Sequence, residues 1–290
     1  MDDGSGWPRH RWSNRLQTVL LIVTMLAISS TAGYLLLGDL GLWLTLGMAA
    51  AALVAEPAAG AEWTLRLVRA RALSPAEAPY LWQSLADLAE RAGLPAPPTP
   101  YYVPSATINA FAVGQRERSA IAVTHGLLRH LDRRELTGVL AHEIAHIAHD
   151  DLRVMNLAAH VGRITMVFSA AGQILLLLAL PSLFGLGWWQ VNWPALALLL
   201  FSPQIALLAQ LGLSRVREFD ADATAASLTG DPGGLALALA RIEQTAPTWF
   251  ARLLPGIHDR QPRWLRSHPE TDRRIRRLQA LAAALTRPSA

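Results

Sequence analysis

Two pairs of uncharged apolar runs alternate with segments of mixed polarity along the chain. Leu16 to Gly38, "LQTVLLIVTMLAISSTAGYLLLG", carries no charge and exceeds the roughly 20 residues a helix needs to cross a bilayer. After "GDLG" a second run, Leu40 to Ala55, stops at Glu56-Pro57, so residues 16–56 are expected to form a transmembrane hairpin. No formally charged residue occurs from Ile164 to Ser214, which predicts a second hairpin over 164–213 with its turn near "GLGWWQVNWP". Trp188, Trp189 and Trp193 suit an interfacial aromatic belt, and Pro203 is expected to kink the fourth span. A secretory signal is the rival reading of the first run, behind Arg9, Arg11 and Arg15. The apolar core of such a signal is only about 7–15 residues long, however, which favours an anchor. A buried hairpin in a soluble core is the rival for 164–213.

The mixed segments predict a small α+β domain. "SPAEAPYLWQSLADLAERAGL" has the apolar spacing of an amphipathic helix ending at Gly93, and "PAPPTP" breaks the chain behind it. "YYVP" and "RSAIAVTHG" read as short strands, with "INAFAVG" between them. Asp132 and Glu135 form a capping box that opens a helix, whose apolar side carries Leu136, Val139, Leu140, Ile144 and Ile147.

Composition strengthens the membrane reading: 52% of residues are apolar and only 17% charged, above and below the soluble norms respectively. All 26 basic residues are arginines, for a net charge of +4. They are dispersed among acids and flank apolar runs, which is not the basic footprint of a nucleic-acid binder. With no cysteine, disulfides are excluded and any metal must be held by nitrogen and oxygen. Arginines 9, 11 and 15 precede span one, 66, 69 and 71 follow span two, 153 and 163 precede span three, and 215 and 217 follow span four. The connections at Asp39 and the tryptophan turn carry none, so the positive-inside rule puts both termini and the 57–163 segment in the cytoplasm. The expected organisation is a cytoplasmic tail 1–15, a hairpin 16–56, a domain part 57–163, a hairpin 164–213 and a second domain part 214–290.

The helix after Asp132 contains "VLAHEIAHIAHDD". Residues four apart share a helix face, so His142 and His146 can put their imidazoles on one ion. Glu143, one position round, then reaches the ion's open side. Solvated or hydrogen-bonded helix histidines are the bland alternative. The segment "SRVREFDADATAA" at 214–226 places Glu218 and Asp222 one turn apart. Glu218 could supply the third protein ligand that zinc requires, and Asp222 could accept a hydrogen bond from the far nitrogen of a ligating histidine. Taken alone, Glu218, Asp220 and Asp222 read more readily as a solvated acidic face paired with Arg215 and Arg217.

Four blocks in order, "INAFAVG", "VTHGLLRHLDRRELTGVLAHEIAHI", "SRVREFDADATAA" and "SHPETDRRIRRL", together with the apolar hairpins, give the chain a resemblance to the HtpX-type zinc metallopeptidases of the membrane, relatives of the CAAX prenyl proteases. The resemblance covers nearly the whole chain. It implies a mainly α integral membrane protein with four transmembrane helices and a zincin-like α+β metalloprotease domain on the cytoplasmic side of the cell's inner membrane. It also implies one Zn2+ per chain held by His142, His146 and Glu218, with Glu143 as the catalytic glutamate and Asp222 as the acidic residue behind a ligand. Polypeptide substrates, misfolded or damaged membrane proteins among them, and the lipid bilayer are the implied partners. The Arg-rich tail before span one and His149 depart from the pattern.

Several readings stay open at the level of sequence. His268, in "RSHPETD", either acts at the zinc, as a fourth ligand or on the developing oxyanion, or caps the last helix, "PETDRRIRRLQALAAAL". His10, His125, His130, His160 and His258 have no matching partners and read as surface or packing residues. The extended "RSAIAVTHG" is expected to lend its edge to a substrate strand. Besides a membrane zinc endopeptidase, the motif fits an intramembrane protease or a non-catalytic zinc-binding scaffold. Arg133, Arg134, Glu135, Asp150 and Asp151 around the motif argue against immersion in lipid.

Overall fold

Gly38 turns the first apolar hairpin with φ at +63°, a left-handed conformation that glycine adopts without a Cβ penalty. It separates α1 (Gly6–Leu37) from α2 (Asp39–Val54). The computed structural model describes residues 6–54, 57–183, 193–245 and 271–285. The chain divides into two compact units, one comprising Met1–Ala55 and Arg153–Val216, the other Glu56–Leu152 and Arg217–Ala290.

In the first unit α1 and α2 pack closely because both present glycine. A Cβ on Gly41 would collide with the carbonyl oxygen of Gly33, and one on Gly33 would lie 2.7 Å from the carbonyl oxygen of Gly41. Met25 on α1, Ala49 on α2, Ala158 and Val161 on α7 (Asp151–Leu183), and Ala206 and Ala209 on α8 (Trp193–Thr229) form one buried cluster. Small hydroxyls are also buried here: Ser29 hydrogen-bonds Thr165 between α1 and α7, and Thr45 donates to the Gly41 carbonyl at 2.8 Å. Large side chains on these helices face outward instead, among them Val23, Trp43, Val167, Phe201 and Leu208.

Among the described residues one helix, Val19–Leu37, is long and apolar enough to cross a membrane. The other expected spans are not established on that criterion. At 1.5 Å per residue the sixteen residues of α2 reach only about 24 Å, short of a hydrocarbon layer of about 30 Å. The apolar stretch identified on α7 is Ile164–Ile174. Trp188 and Trp189 lie outside the described residues, and α8 continues as helix through Pro203.

The second unit is built on a four-stranded sheet of order β1-β2-β4-β3, formed by β1 (Arg71–Ala72), β2 (Thr99–Val103), β3 (Ala110–Gln115) and β4 (Arg118–Thr124). β2 and β4 are parallel, while β3 pairs antiparallel with β4. Side chains alternate across the sheet, as a pleated strand requires. Ala110, Ala112, Ile121 and Val123 face a core shared with α4 (Pro79–Arg91), α5 (His125–His130), α6 (Arg133–Ala148), α9 (Pro232–Thr245) and α10 (Thr271–Leu285). Phe111, Val113, Ala120 and Ala122 face Leu65 of α3 (Pro57–Leu67). Burial on both faces explains why "INAFAVG" has no polar alternation to mark β3 as a strand.

The expected substrate-binding edge needs correction. β4 lies between β2 and β3, so both its edges are used, and β3 is the edge strand on that side. The amphipathic helix before Gly93 is present as α4, and Gly93 has φ +66°.

Candidate metal centre

α6 starts where its sequence directs. The Asp132 carboxylate accepts a hydrogen bond from the Glu135 amide at 2.9 Å, and the Glu135 carboxylate accepts one from the Asp132 amide at 2.9 Å. Such a cap contributes about 1 kcal/mol. Gly138 lets α9 approach: a Cβ there would sit 2.8 Å from the Leu235 backbone nitrogen. α6 thus lies buried between the sheet and α9, with His142 and Glu143 both inside. It ends before Asp150, whose φ is +56°, and Asp151 opens α7.

Three metal-ligating side chains converge. His142, His146 and Glu218 each offer an atom within 4.8 Å of the others'. The two imidazole Nε2 atoms are 3.1 Å apart, and Glu218 lies 3.3 Å from Nε2 of His142 and 3.8 Å from that of His146. Each imidazole is held from behind. His142 Nδ1 lies 3.0 Å from Asp222, and His146 Nδ1 lies 2.8 Å from Asp151. A carboxylate only accepts, so each Nδ1 carries the hydrogen, and once Nε2 gives up its proton each ring directs that lone pair at the other's and at Glu218. Three acceptors aimed at one point fit a cation.

Charge gives the same answer by a separate route. Arg274, 1% exposed, forks onto Asp222 with two contacts of 2.7 Å and reaches Glu218 at 2.8 Å. Arg217 meets Asp151 at 2.6 Å. Four carboxylates, those of Glu143, Asp151, Glu218 and Asp222, therefore share this pocket with two guanidinium groups. With both rings neutral the formal excess is two negative charges, which a divalent ion, or in its place protons on the two rings, neutralises, since uncompensated charge at this depth is costly.

The protonation behaviour of the histidines agrees. Burial works against a charged His142, but its hydrogen bonds to Asp222 and Glu218 prevail and push its pKa up to about 10. His146 is also raised: burial and the neighbouring His142 oppose the proton, whereas Asp151 and Glu218 favour it. Burial raises the Asp222 carboxyl, yet the Arg274 hydrogen bonds and His142 hold it below the usual range. A proton on either Nε2 stands where the cation would, so proton and metal compete for this site.

Glu143 sits beside the trio, 6% exposed. Its Oε2 accepts the Ala112 amide hydrogen at 2.9 Å. Strand alternation puts the backbone groups of Ala110, Ala112 and Gly114 on the side of β3 away from β4, and Glu143 engages that free edge.

The structure brings together five of the six residues singled out from sequence: His142, Glu143, His146, Glu218 and Asp222. His268 lies outside the described residues. His149 caps the end of α6, with Nε2 at 3.3 Å from Thr224 Oγ1, and is not one of the three converging ligands. Of the remaining histidines, His125 contacts Tyr102 and His130 the Gly126 carbonyl. Sequence reasoning missed Asp151, Arg217 and Arg274. For Arg274 a signal existed, since it lies four residues before Leu278 on the buried side of α10 and so falls within an apolar stripe.

Comparison with known proteins agrees with this geometry. Residues 75–282 match the profile "Peptidase family M48". A "Protease HtpX homolog" of Acaryochloris marina is 38% identical, over 94% of this chain and 97% of the relative. One from Acidiphilium cryptum is 39% identical over 80% of each, and one from Ralstonia nicotianae 32% identical over 95% and 99%. The chain belongs to peptidase family M48 and is of the HtpX type.

Proposed function

We propose that this M48 peptidase is a zinc-dependent endopeptidase anchored in the cell's inner membrane, with one Zn2+ per chain bound by His142, His146 and Glu218. The observation that carries the reading is the convergence of two imidazoles and a carboxylate in a buried pocket. Two nitrogens and an oxygen, without sulfur, suit a catalytic zinc with a coordination position left for solvent. When bound, the ion supplies a Lewis acid for the scissile carbonyl and an acidified water.

The protein's own groups account for the remaining steps. Glu143 takes a proton from the attacking water as the water's oxygen bonds to the carbonyl carbon. It then delivers that proton to the amine nitrogen as the C–N bond breaks. Asp222 and Asp151 hold the ligating rings in one tautomer. The substrate adds as a strand to the free edge of β3, where the Ala112 amide passes from Glu143 to a substrate carbonyl, leaving the glutamate free to act as base.

The first unit supplies the anchor. Its outward-facing apolar side chains support four spans formed by α1, α2, α7 and α8, and the arginine distribution supports an active site on the cytoplasmic side. Polypeptides, misfolded membrane proteins in particular, are the substrates this arrangement suits. All the converging residues belong to the second unit, which favours a cytoplasmic active site over an intramembrane one.

The test is metal removal and return in the detergent-solubilised full chain. A chelator-stripped sample refilled with zinc is expected to degrade an unfolded substrate. Glu143→Gln is expected to retain zinc and lose cleavage by about 100- to 10,000-fold. Equal activity in that variant would sink the peptidase mechanism.

A further inference from the structure

We infer that Arg274 is a positioning residue of the metal centre, and that through it the C-terminal helix α10 docks in response to the metal. Its guanidinium is buried, with Arg274 only 1% exposed. Every partner belongs to the centre: Asp222 through Nε and Nη2 at 2.7 Å, Glu218 through Nη1 at 2.8 Å, and His142 Nε2 at 3.4 Å from Nη2. One planar fork thus touches a ligand carboxylate, a ligand imidazole and the carboxylate behind that imidazole. No other described side chain reaches all three.

The choice of arginine follows from that task. A guanidinium presents five donors in fixed directions and can grip one carboxylate with two parallel bonds while a third donor reaches the next. A lysine would supply the charge at a single point without setting the angle between Glu218 and Asp222. α10 is suited to carry this residue: Leu278 is buried, with Ile275 and Leu281 packed against the same core, while Arg273, Arg276 and Arg277 face outward. Arg273 and Arg277 lie over the Phe219 ring, next to the ligand Glu218, at 5.8 and 5.2 Å. The helix is therefore fastened beside the ligand from both faces. Linkage is reciprocal: if Arg274 fixes the donors for the metal, then bound metal fixes Arg274 and with it α10.

The inference rests on the zinc reading above, so the wild-type chain is measured first. One zinc per chain, lost in His142→Ala, is the premise; a wild type without zinc overturns the zinc reading itself. Given that premise, zinc is expected to slow hydrogen exchange of the α10 amides in the full-length wild type. Arg274→Met and the charge-retaining Arg274→Lys are each expected to weaken zinc about 10- to 100-fold in chelator competition, and to alter the visible spectrum of the cobalt-substituted protein. Lysine recovers at most part of the loss. If Arg274→Met does not fold, Arg274→Lys and the wild-type exchange measurement decide. Unchanged zinc affinity and cobalt spectrum in Arg274→Lys, or α10 exchange indifferent to zinc in the wild type, would overturn the inference even though zinc binds.

Discussion

The two units of this chain bury opposite things. In the first, Ser29, Thr45, Thr165, Ser169 and Ser202 are inside while large apolar side chains cover the outside. Of the exposed large apolar residues in the described chain, all but Trp63, Leu67 and Leu237 belong to it. In the second, the interior is mainly aliphatic, and most of its buried charge gathers at one place, where four carboxylates, two guanidinium groups and two histidines are packed together. On the proposed anchoring, the difference is one of surroundings. A body in hydrocarbon gains nothing by hiding leucine and gathers its small polar groups at helix contacts. A body in water hides leucine, and buries charge only where that charge has a partner or a purpose.

The largest effect expected from breaking this contrast lies in the charged interior. Asp222→Ala leaves Arg274 with Glu218 as its one contacting carboxylate and frees the His142 ring, and removing one partner of a buried pair costs about 3–5 kcal/mol. Metal-free protein is expected to melt well below wild type, with zinc returning part of the loss; an unchanged melting temperature would show the cluster to be solvated. Next is the apolar exterior. Leu208 is 68% exposed, and Leu208→Arg is expected to cost about 2.5–3.5 kcal/mol in a membrane-insertion assay if that surface faces lipid. On a water-facing surface the same change would be neutral.

A third effect tests helix approach. Gly138→Ala puts a methyl 2.8 Å from the Leu235 backbone and is expected to destabilise the second unit by about 1–3 kcal/mol, measured as a shift in its denaturant midpoint. The smallest effect concerns an exposed pair. Arg134 hydrogen bonds hold Asp231 below the usual carboxylate range, and slight burial opposes them. The stability from this pair is present above the unfolded pKa of about 3.9 and is lost as pH falls through the lowered folded-state value. Asp231→Asn should therefore lower stability slightly at neutral pH, with the difference from wild type vanishing at low pH and masked by salt.

What could be read from sequence divides along the same line. The α6 helix, its Asp132–Glu135 cap and the pairing of His142 with His146 depend on contacts within one turn, and these local rules are visible in sequence. Glu218 and Asp222 were legible as a pair one turn apart, but their approach to α6 across seventy residues required resemblance to supply it. Asp151 and Arg217 escaped because a charge beside a motif reads as solvated until tertiary packing buries it. Arg274 was masked by its neighbours: in "DRRIRRL" only helical phase separates the buried arginine from the three outside. β3 was missed because a strand buried on both faces lacks the two-residue alternation that identifies one, and for the same reason the substrate edge was first assigned to β4.

X-ray absorption at the zinc edge of the purified Glu143→Gln full-length protein tests the central claim most directly, since that variant holds the metal without turnover. The account predicts one zinc per chain in a four-coordinate shell of two imidazoles at about 2.0–2.1 Å and oxygen ligands, with the imidazole signal lost in His142→Ala. Zinc bound without imidazole scattering, or retained unchanged in His142→Ala, would contradict it.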